Sequence, residues 1–310
     1  MKGPKRFVTR FSWVLVLLAL GGCIQKNEYR VPGKLFIVVT TGMIRDAVEN
    51  VAGEKADVVA LMGPGVDPHL YKATHGDLEK ITQADVIFYN GLHLEGKMGT
   101  VFEKAARTRS VVAITEGSPG ENLRSIPGYE NTHDPHIWFD VRLWQQAVEN
   151  IAKYLIDHDA ANADYYRGNK ERYLVQLDSL HHAVTRQLLT IPAKQRVLIT
   201  AHDAFGYFGD AYKVEVRGLQ GISTLSEFGL RDVTELVNFI IEREIKAIFV
   251  ETSVSTKSIN AILEGCQEKG WDVTIGGSLY SDAMGEEGSP EGTYIGMVNA
   301  NVQTIVNALK

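Results

Sequence analysis

Cysteine is nearly missing from this sequence: Cys23 and Cys266 are the only two in 310 residues. Two sulfurs cannot build a Cys-rich zinc site, nor a disulfide framework of several bridges. Long apolar runs are missing too. The run at residues 11–20 falls short of the ~20 apolar residues that span a bilayer. Positive charge is in deficit: 32 Lys and Arg face 38 Asp and Glu, a formal charge of −6. That balance argues against nucleic acid as a partner, because phosphate binding needs clustered Lys and Arg. Neither a His-Glu-x-x-His helix nor a His-x-His-x-Asp run occurs, so these signatures of zinc hydrolases are lacking.

What is present begins with a basic leader. Lys2, Lys5, Arg6 and Arg10 precede the short apolar run, which predicts a signal peptide over residues 1–22. Leu20-Gly21-Gly22-Cys23 resembles the lipobox of bacterial lipoproteins, where small residues fit the peptidase groove and the freed cysteine thiol is acylated. The other reading is a plain signal peptide with a chance cysteine. Residues 23–33 then form a polar tether ended by Pro32-Gly33. An exported chain anchored to the membrane by lipid at Cys23 faces the periplasm or the cell exterior. Loss of four basic residues takes the charge from −6 to −10, which suits a cation ligand but equally serves solubility. Cys266 is left as a lone thiol in a helical stretch, with a buried structural role as its plain reading.

The remaining ~288 residues suffice for two domains. Short apolar, β-branched runs at 35–39, 57–61, 85–89 and 111–114 alternate with helical patterns at 43–51 and 77–84. Runs at 196–200, 213–216, 246–250 and 272–275 repeat the scheme with helices at 233–244 and 258–269. Alternation of this kind predicts βαβ units and parallel sheets. Between the halves, Tyr166, Tyr173, Leu174, Leu177, Leu180, Val184 and Leu188 recur at spacings near three and four. One helix of ~30 residues, or two kinked at Gly168, fits that stripe. The expected architecture is α/β, with two (β/α)4-like lobes joined by one long rigid helix. The boundaries are 34–158 for the first lobe, 159–191 for the linker and 192–310 for the second.

Four polar side chains fall just beyond the carboxyl ends of predicted strands, where open α/β sheets bind ligands. They are His69, His136, His202 and Asp282. Two facing sheet edges bring them to one point, two from each lobe. Three imidazoles and a carboxylate suit tetrahedral Zn²⁺; Mn²⁺ takes the same set with more oxygen, as from a bidentate carboxylate. Neutral imidazole is the ligand form, so binding is expected to weaken from pH 7.5 to pH 5. A single histidine at such a position is more often a surface group, as His75, His93 and His158 illustrate. His133 and His136 are three apart, but Asp134-Pro135 between them reads as an extended turn. Asp67 and Asp134 either orient the neighbouring histidines or close Asx turns.

Several motifs together resemble the metal-binding receptor lipoproteins of ABC importers, the cluster A-I class for zinc, manganese and iron. They are Asp67-Pro68-His69-x-Tyr71, Tyr89-Asn90-Gly91-Leu92-His93-Leu94-Glu95, Asp134-Pro135-His136-Ile137-Trp138, His202-x-Ala204-Phe205-x-Tyr207-Phe208 and Leu279-Tyr280-Ser281-Asp282-Ala283-Met284-Gly285. Glu251-Thr252-Ser253 and Gly221-Ile222-Ser223-Thr224-x-Ser226-Glu227 make the chain most similar to the treponemal zinc/manganese branch. The resemblance implies that His69, His136, His202 and Asp282 are the ligands. It also implies that Zn²⁺ or Mn²⁺ is the transported ion, and that a permease and its ATPase are partners of a monomeric receptor.

Manganese-type members often carry Glu where His202 stands. The His-rich loop of zinc receptors is missing from residues 116–132, and 223–228 replaces a common Ser-Pro-Glu-x-Glu-Pro segment. The balance favours zinc over manganese or iron. Two other classes remain to be weighed. A zinc hydrolase needs an open coordination position and a base, for which Glu95 and Glu227 are the candidates; an adhesin needs a host ligand that no motif here encodes.

Overall fold

The computed structural model describes residues 3, 29–117, 120–126, 128–129 and 131–310. The expected signal peptide, Cys23 and residues 24–28 of the tether lie outside the described residues.

The alternation read from the sequence becomes strands and helices in this order. In the first half, β1 (Leu35–Val39), α1 (Gly42–Ala52), β2 (Ala56–Ala60), α2 (His75–Gln83), β3 (Val86–Tyr89), α3 (Gly99–Ala105) and β4 (Ser110–Ala113) are followed by α4 (Val141–His158). The strands form one parallel sheet of order β2-β1-β3-β4. Ile37 pairs with Val58 on one side and Val86 on the other. The central strands are apolar at nearly every position because α1 and α4 cover one face and α2 and α3 the other, so no face is left to water.

After α5 (Ala163–Leu188) come β5 (Val197–His202), α6 (Gly206–Tyr212), β6 (Glu215–Gln220), α7 (Leu230–Glu242), β7 (Ala247–Glu251), α8 (Lys257–Glu268), β8 (Thr274–Leu279) and α9 (Tyr294–Leu309). Two strands begin two residues later than expected. Strand β6 begins at Glu215, inside the expected 213–216 run, and continues to Gln220. Lys213 takes the left-handed conformation that ends α6, so the apolar pair Val214 and Val216 straddles a helix cap and a strand start. Strand β8 likewise starts at Thr274 instead of 272 and runs on through two glycines. The four strands pair in parallel as β5–β6 and β7–β8, with β5 packed beside β7. Across that seam the His202 N–H donates to Glu251 Oε1 at 2.9 Å.

Helix α5 is a single helix of 26 residues, about 39 Å long at 1.5 Å per residue. Gly168 lies inside it without breaking it, so the kinked alternative is not realised. Its apolar stripe is a wall of the main core: Tyr166, Tyr173, Leu177, Val184 and Leu188 are buried against α1, α4 and α9. Two polar contacts pin it to α1. Tyr173 Oη donates to Asp46 Oδ2 at 2.6 Å, and Asn169 Nδ2 to the Val51 carbonyl at 2.9 Å. No helix among the described residues is long and apolar enough to cross a membrane.

Candidate metal centre

Strand ends of both halves of the chain meet at one point, and each predicted residue reaches it from a differently built segment. His69 lies in the loop between β2 and α2. Asp67 Oδ1 accepts the His69 N–H at 2.8 Å, closing an Asx turn that aims the ring inward. Asp67 Oδ2 accepts Thr224 Oγ1 from the other lobe at 2.6 Å. His136 lies between β4 and α4. Asp134 Oδ1 accepts its N–H at 3.0 Å and lies 2.7 Å from its Nδ1. The Asx turn and the orienting carboxylate, alternatives from sequence, are here one arrangement. Asn90 Nδ2, donating to the Pro135 carbonyl at 2.9 Å, ties this loop to the end of β3.

His202 is the last residue of β5 itself, paired with Gln220 of β6. Gly218 on β6 permits that approach, since a Cβ there would come within 2.5–2.7 Å of the backbone of His202 and Asp203. Asp282 follows β8, next to Ser281, whose carbonyl accepts Trp138 Nε1–H at 3.0 Å.

The four side chains offer ligand atoms within 4.8 Å of one another. His69 and His136 Nε2 are 3.3 Å apart. Asp282 Oδ1 is 3.5 Å from His136 Nε2, and its Oδ2 lies 3.3 Å from His202 Nε2 and 3.6 Å from His69 Nε2. Ligands held at about 2.0–2.1 Å on a tetrahedral ion stand roughly 3.3–3.4 Å apart, so these four separations are close to those of a coordination shell. The residues are 2%, 0%, 0% and 1% exposed in chain order. No hydrogen bond from the described residues reaches either Asp282 oxygen.

Burial pushes His69 down to about 4, the Asp282 carboxylate only partly opposing it, so this ring is neutral at physiological pH. Burial acts the same way on His202, but Asp282 and Glu251 on either side of the ring overcome it and hold His202 well above the usual imidazole range. Burial would raise Asp282; His202, then His136 and His69, hold it instead far below the usual carboxylate range. The centre is thus arranged around a carboxylate charge that a cation or a proton on His202 must balance.

Other histidines are elsewhere: His133 forms an isolated bridge with Ser125, and buried His181 lies against Tyr212. The two glutamates weighed as bases do not serve. Glu95 is buried and already accepts from Thr40 Oγ1, the Asn90 N–H and the Gly91 N–H. That grip depends on a left-handed turn at Gly91, Leu92 and His93, where a Cβ on Gly91 would press within 2.7 Å of Thr115. Glu227 is exposed. Sequence reasoning missed Glu251, whose carboxylate stands 2.5 Å from His202 Nδ1. It too sits at the carboxyl end of a strand, the signal that found the other four.

The profile of the family described as zinc-uptake complex component A, periplasmic, matches residues 37–308. The manganese-binding lipoprotein MntA of Bacillus subtilis is 51% identical over 94% of this chain and 95% of its own. The zinc-binding protein TroA of Treponema pallidum is 49% identical over 89% of each. The solved structure of TroA superposes with a TM-score of 0.87, covering 89% of this chain and 99% of that one. The manganese ABC transporter substrate-binding lipoprotein PsaA of Streptococcus anginosus is 29% identical over 98% of this chain and 99% of its own. These relatives are named as metal-binding proteins, and PsaA as the substrate-binding lipoprotein of a manganese ABC transporter.

Proposed function

The chain belongs to the periplasmic zinc-uptake component A family, and on that premise we propose that it is an extracytoplasmic receptor that captures one divalent transition ion and delivers it to the permease of an ABC importer. The ligands are His69, His136, His202 and Asp282. Residues 34–158 and 192–310 act as the two lobes and 159–191 as their connection. Lipidation of Cys23 holds the receptor, as a monomer, beside its permease and ATPase.

The observation that carries this reading is Asp282. A buried carboxylate without a hydrogen bond on either oxygen is costly, and here it faces three imidazole nitrogens at coordination spacing. A hydrolytic site would need an open position and a free base; four protein ligands close this one, and Glu95 is already engaged.

Zinc is the ion we assign first. Three nitrogens and one oxygen are its common donors, and it binds such sites more tightly than manganese does. Manganese is the second reading, favoured by one feature: both Asp282 oxygens face the cluster, Oδ1 toward His136 and Oδ2 toward His69 and His202, which permits a bidentate, five-coordinate ion. Elemental analysis of protein purified without chelator, followed by Zn²⁺/Mn²⁺ competition, decides between them. Stoichiometric zinc that manganese fails to displace is expected. Protein that loads neither metal would refute the receptor reading.

A further inference from the structure

Glu251 ends β7 and is buried. Among the described residues its carboxylate has partners on one residue only. Oε1 accepts the His202 N–H at 2.9 Å, and Oε2 stands 2.5 Å from His202 Nδ1. The backbone of His202 is fixed independently, by its pairing with Gln220 and by Thr200 Oγ1 donating to its carbonyl at 2.8 Å. What remains free at this residue is the ring: its rotation, and which nitrogen carries the hydrogen. Asp134 makes two hydrogen bonds with His136, at its N–H and at Nδ1, where Oε2 of Glu251 meets His202 Nδ1 as a close charge pairing; Asp134 also faces Arg124 Nε at 3.6 Å and so shares its charge. Glu251 has no such cation.

We propose that Glu251 is the positioning residue of His202, holding its ring with hydrogen on Nδ1 so that Nε2 is the nitrogen that faces the ion. A ligand histidine whose far nitrogen faces a carboxylate keeps the hydrogen on that nitrogen, so the proton that the ion displaces from the charged ring is the one on Nε2. The inference rests on the receptor reading and adds to it the residue that makes one ligand competent.

Chemistry makes Glu251→Gln informative. Both carboxylate oxygens of Glu251 face donors, whereas an amide has one acceptor and one NH₂. With the NH₂ against the ring, Nδ1 must become the acceptor, and the hydrogen moves to Nε2, where it blocks the ion. With the NH₂ against the backbone, two donors collide. Zinc affinity is to be measured on the whole soluble chain by chelator competition, for wild type, E251Q, and D46N as a buried-carboxylate control remote from the centre. E251Q is expected to bind zinc about 10- to 100-fold more weakly, D46N as wild type. Nitrogen-15 imidazole spectra are expected to show the Nδ1 hydrogen of His202 in wild type and its loss in E251Q. Should E251Q not fold, Glu251→Asp, which keeps the charge but draws it away from the ring, is expected to lose part of the affinity. Wild-type zinc affinity in the folded Glu251 variant, or an affinity loss no greater than that of D46N, overturns the proposal. If wild type binds no metal, the receptor reading falls, and the Nδ1 hydrogen alone decides: its persistence in E251Q overturns this inference and its loss supports it.

Discussion

Lowering the pH from 7.5 to 5.0 tests the centre most directly, because the structure sets both the sign and the slope. His202 lies between Asp282 Oδ2 at 3.3 Å and Glu251 Oε2 at 2.5 Å, and these carboxylates hold it protonated well above the ordinary 6.5. An ion that binds Nε2 must expel the proton there. His69, lowered to about 4, is already neutral over this range and releases nothing. Releasing one proton per ion makes affinity rise about tenfold per pH unit, worth ~1.4 kcal/mol each. Across 2.5 units the affinity should fall roughly 300-fold. Histidines with an unperturbed value near 6.5 would instead give a curve that flattens above about pH 7. Chelator competition, corrected for protonation of the chelator, gives the slope. Calorimetry in buffers of different ionisation heat counts the protons. Affinity that is flat from pH 7 to 8, with no proton released, would refute the assignment of a charged His202.

Three further outcomes are expected. Alanine at His69, His136, His202 or Asp282 should each cost more zinc affinity than the ~10- to 100-fold typical of losing an outer partner, while alanine at exposed His75 changes nothing in the same titration. Zinc at a hundred times its dissociation constant should add ~2.7 kcal/mol of stability, or about 4–5 °C in Tm for a chain of this size; a calorimetric scan showing no shift, or one that chelator fails to reverse, counts against binding to the folded state. Tyr173→Phe removes the 2.6 Å hydrogen bond to buried Asp46 and should cost about 1–3 kcal/mol in denaturant unfolding, with zinc affinity unchanged.

Much of this was legible in the sequence for a physical reason. Buried parallel strands are near-continuous apolar runs with few alternatives, so β1, β3 and β7 stand where 35–39, 85–89 and 246–250 predicted them, within a residue. The rule that ligands lie beyond strand ends then brought His69, His136, His202 and Asp282 to one place. Strand β6 was less legible. Glu215 and Arg217 share a face with buried Leu219, and Gly218 follows Val216 on the other, so charged and small residues interrupt the apolar pattern on both faces. The partners of the ligands were harder still. Glu251 meets His202 across 49 positions of sequence, and no local spacing encodes a contact between the ends of separate strands.

A long helix such as α5 is a stiff connector, and the burial of its apolar stripe stiffens it further. A helix whose tyrosines and leucines are part of the shared core is not free to bend. The ligand loops are also tied across the seam between lobes: Trp138 Nε1–H to the Ser281 carbonyl, Tyr294 Oη–H to the Trp138 carbonyl, and Tyr207 Oη–H to the Asp134 carbonyl. At about 1 kcal/mol net for each, a wide opening forfeits several kcal/mol before His136 leaves Asp282. By contrast, among the described residues the loop of His69 has a single side-chain hydrogen bond to the opposite lobe, from Thr224 to Asp67. The smallest motion that uncovers the ion therefore moves residues 62–74 and the Thr224 loop and leaves the three other ligands in place. Small-angle scattering should give nearly equal radii with and without zinc, while hydrogen exchange in 62–74 and 221–229 slows on binding. A large change in radius, with exchange altered along α5 instead, would show that the core yields before the loop does.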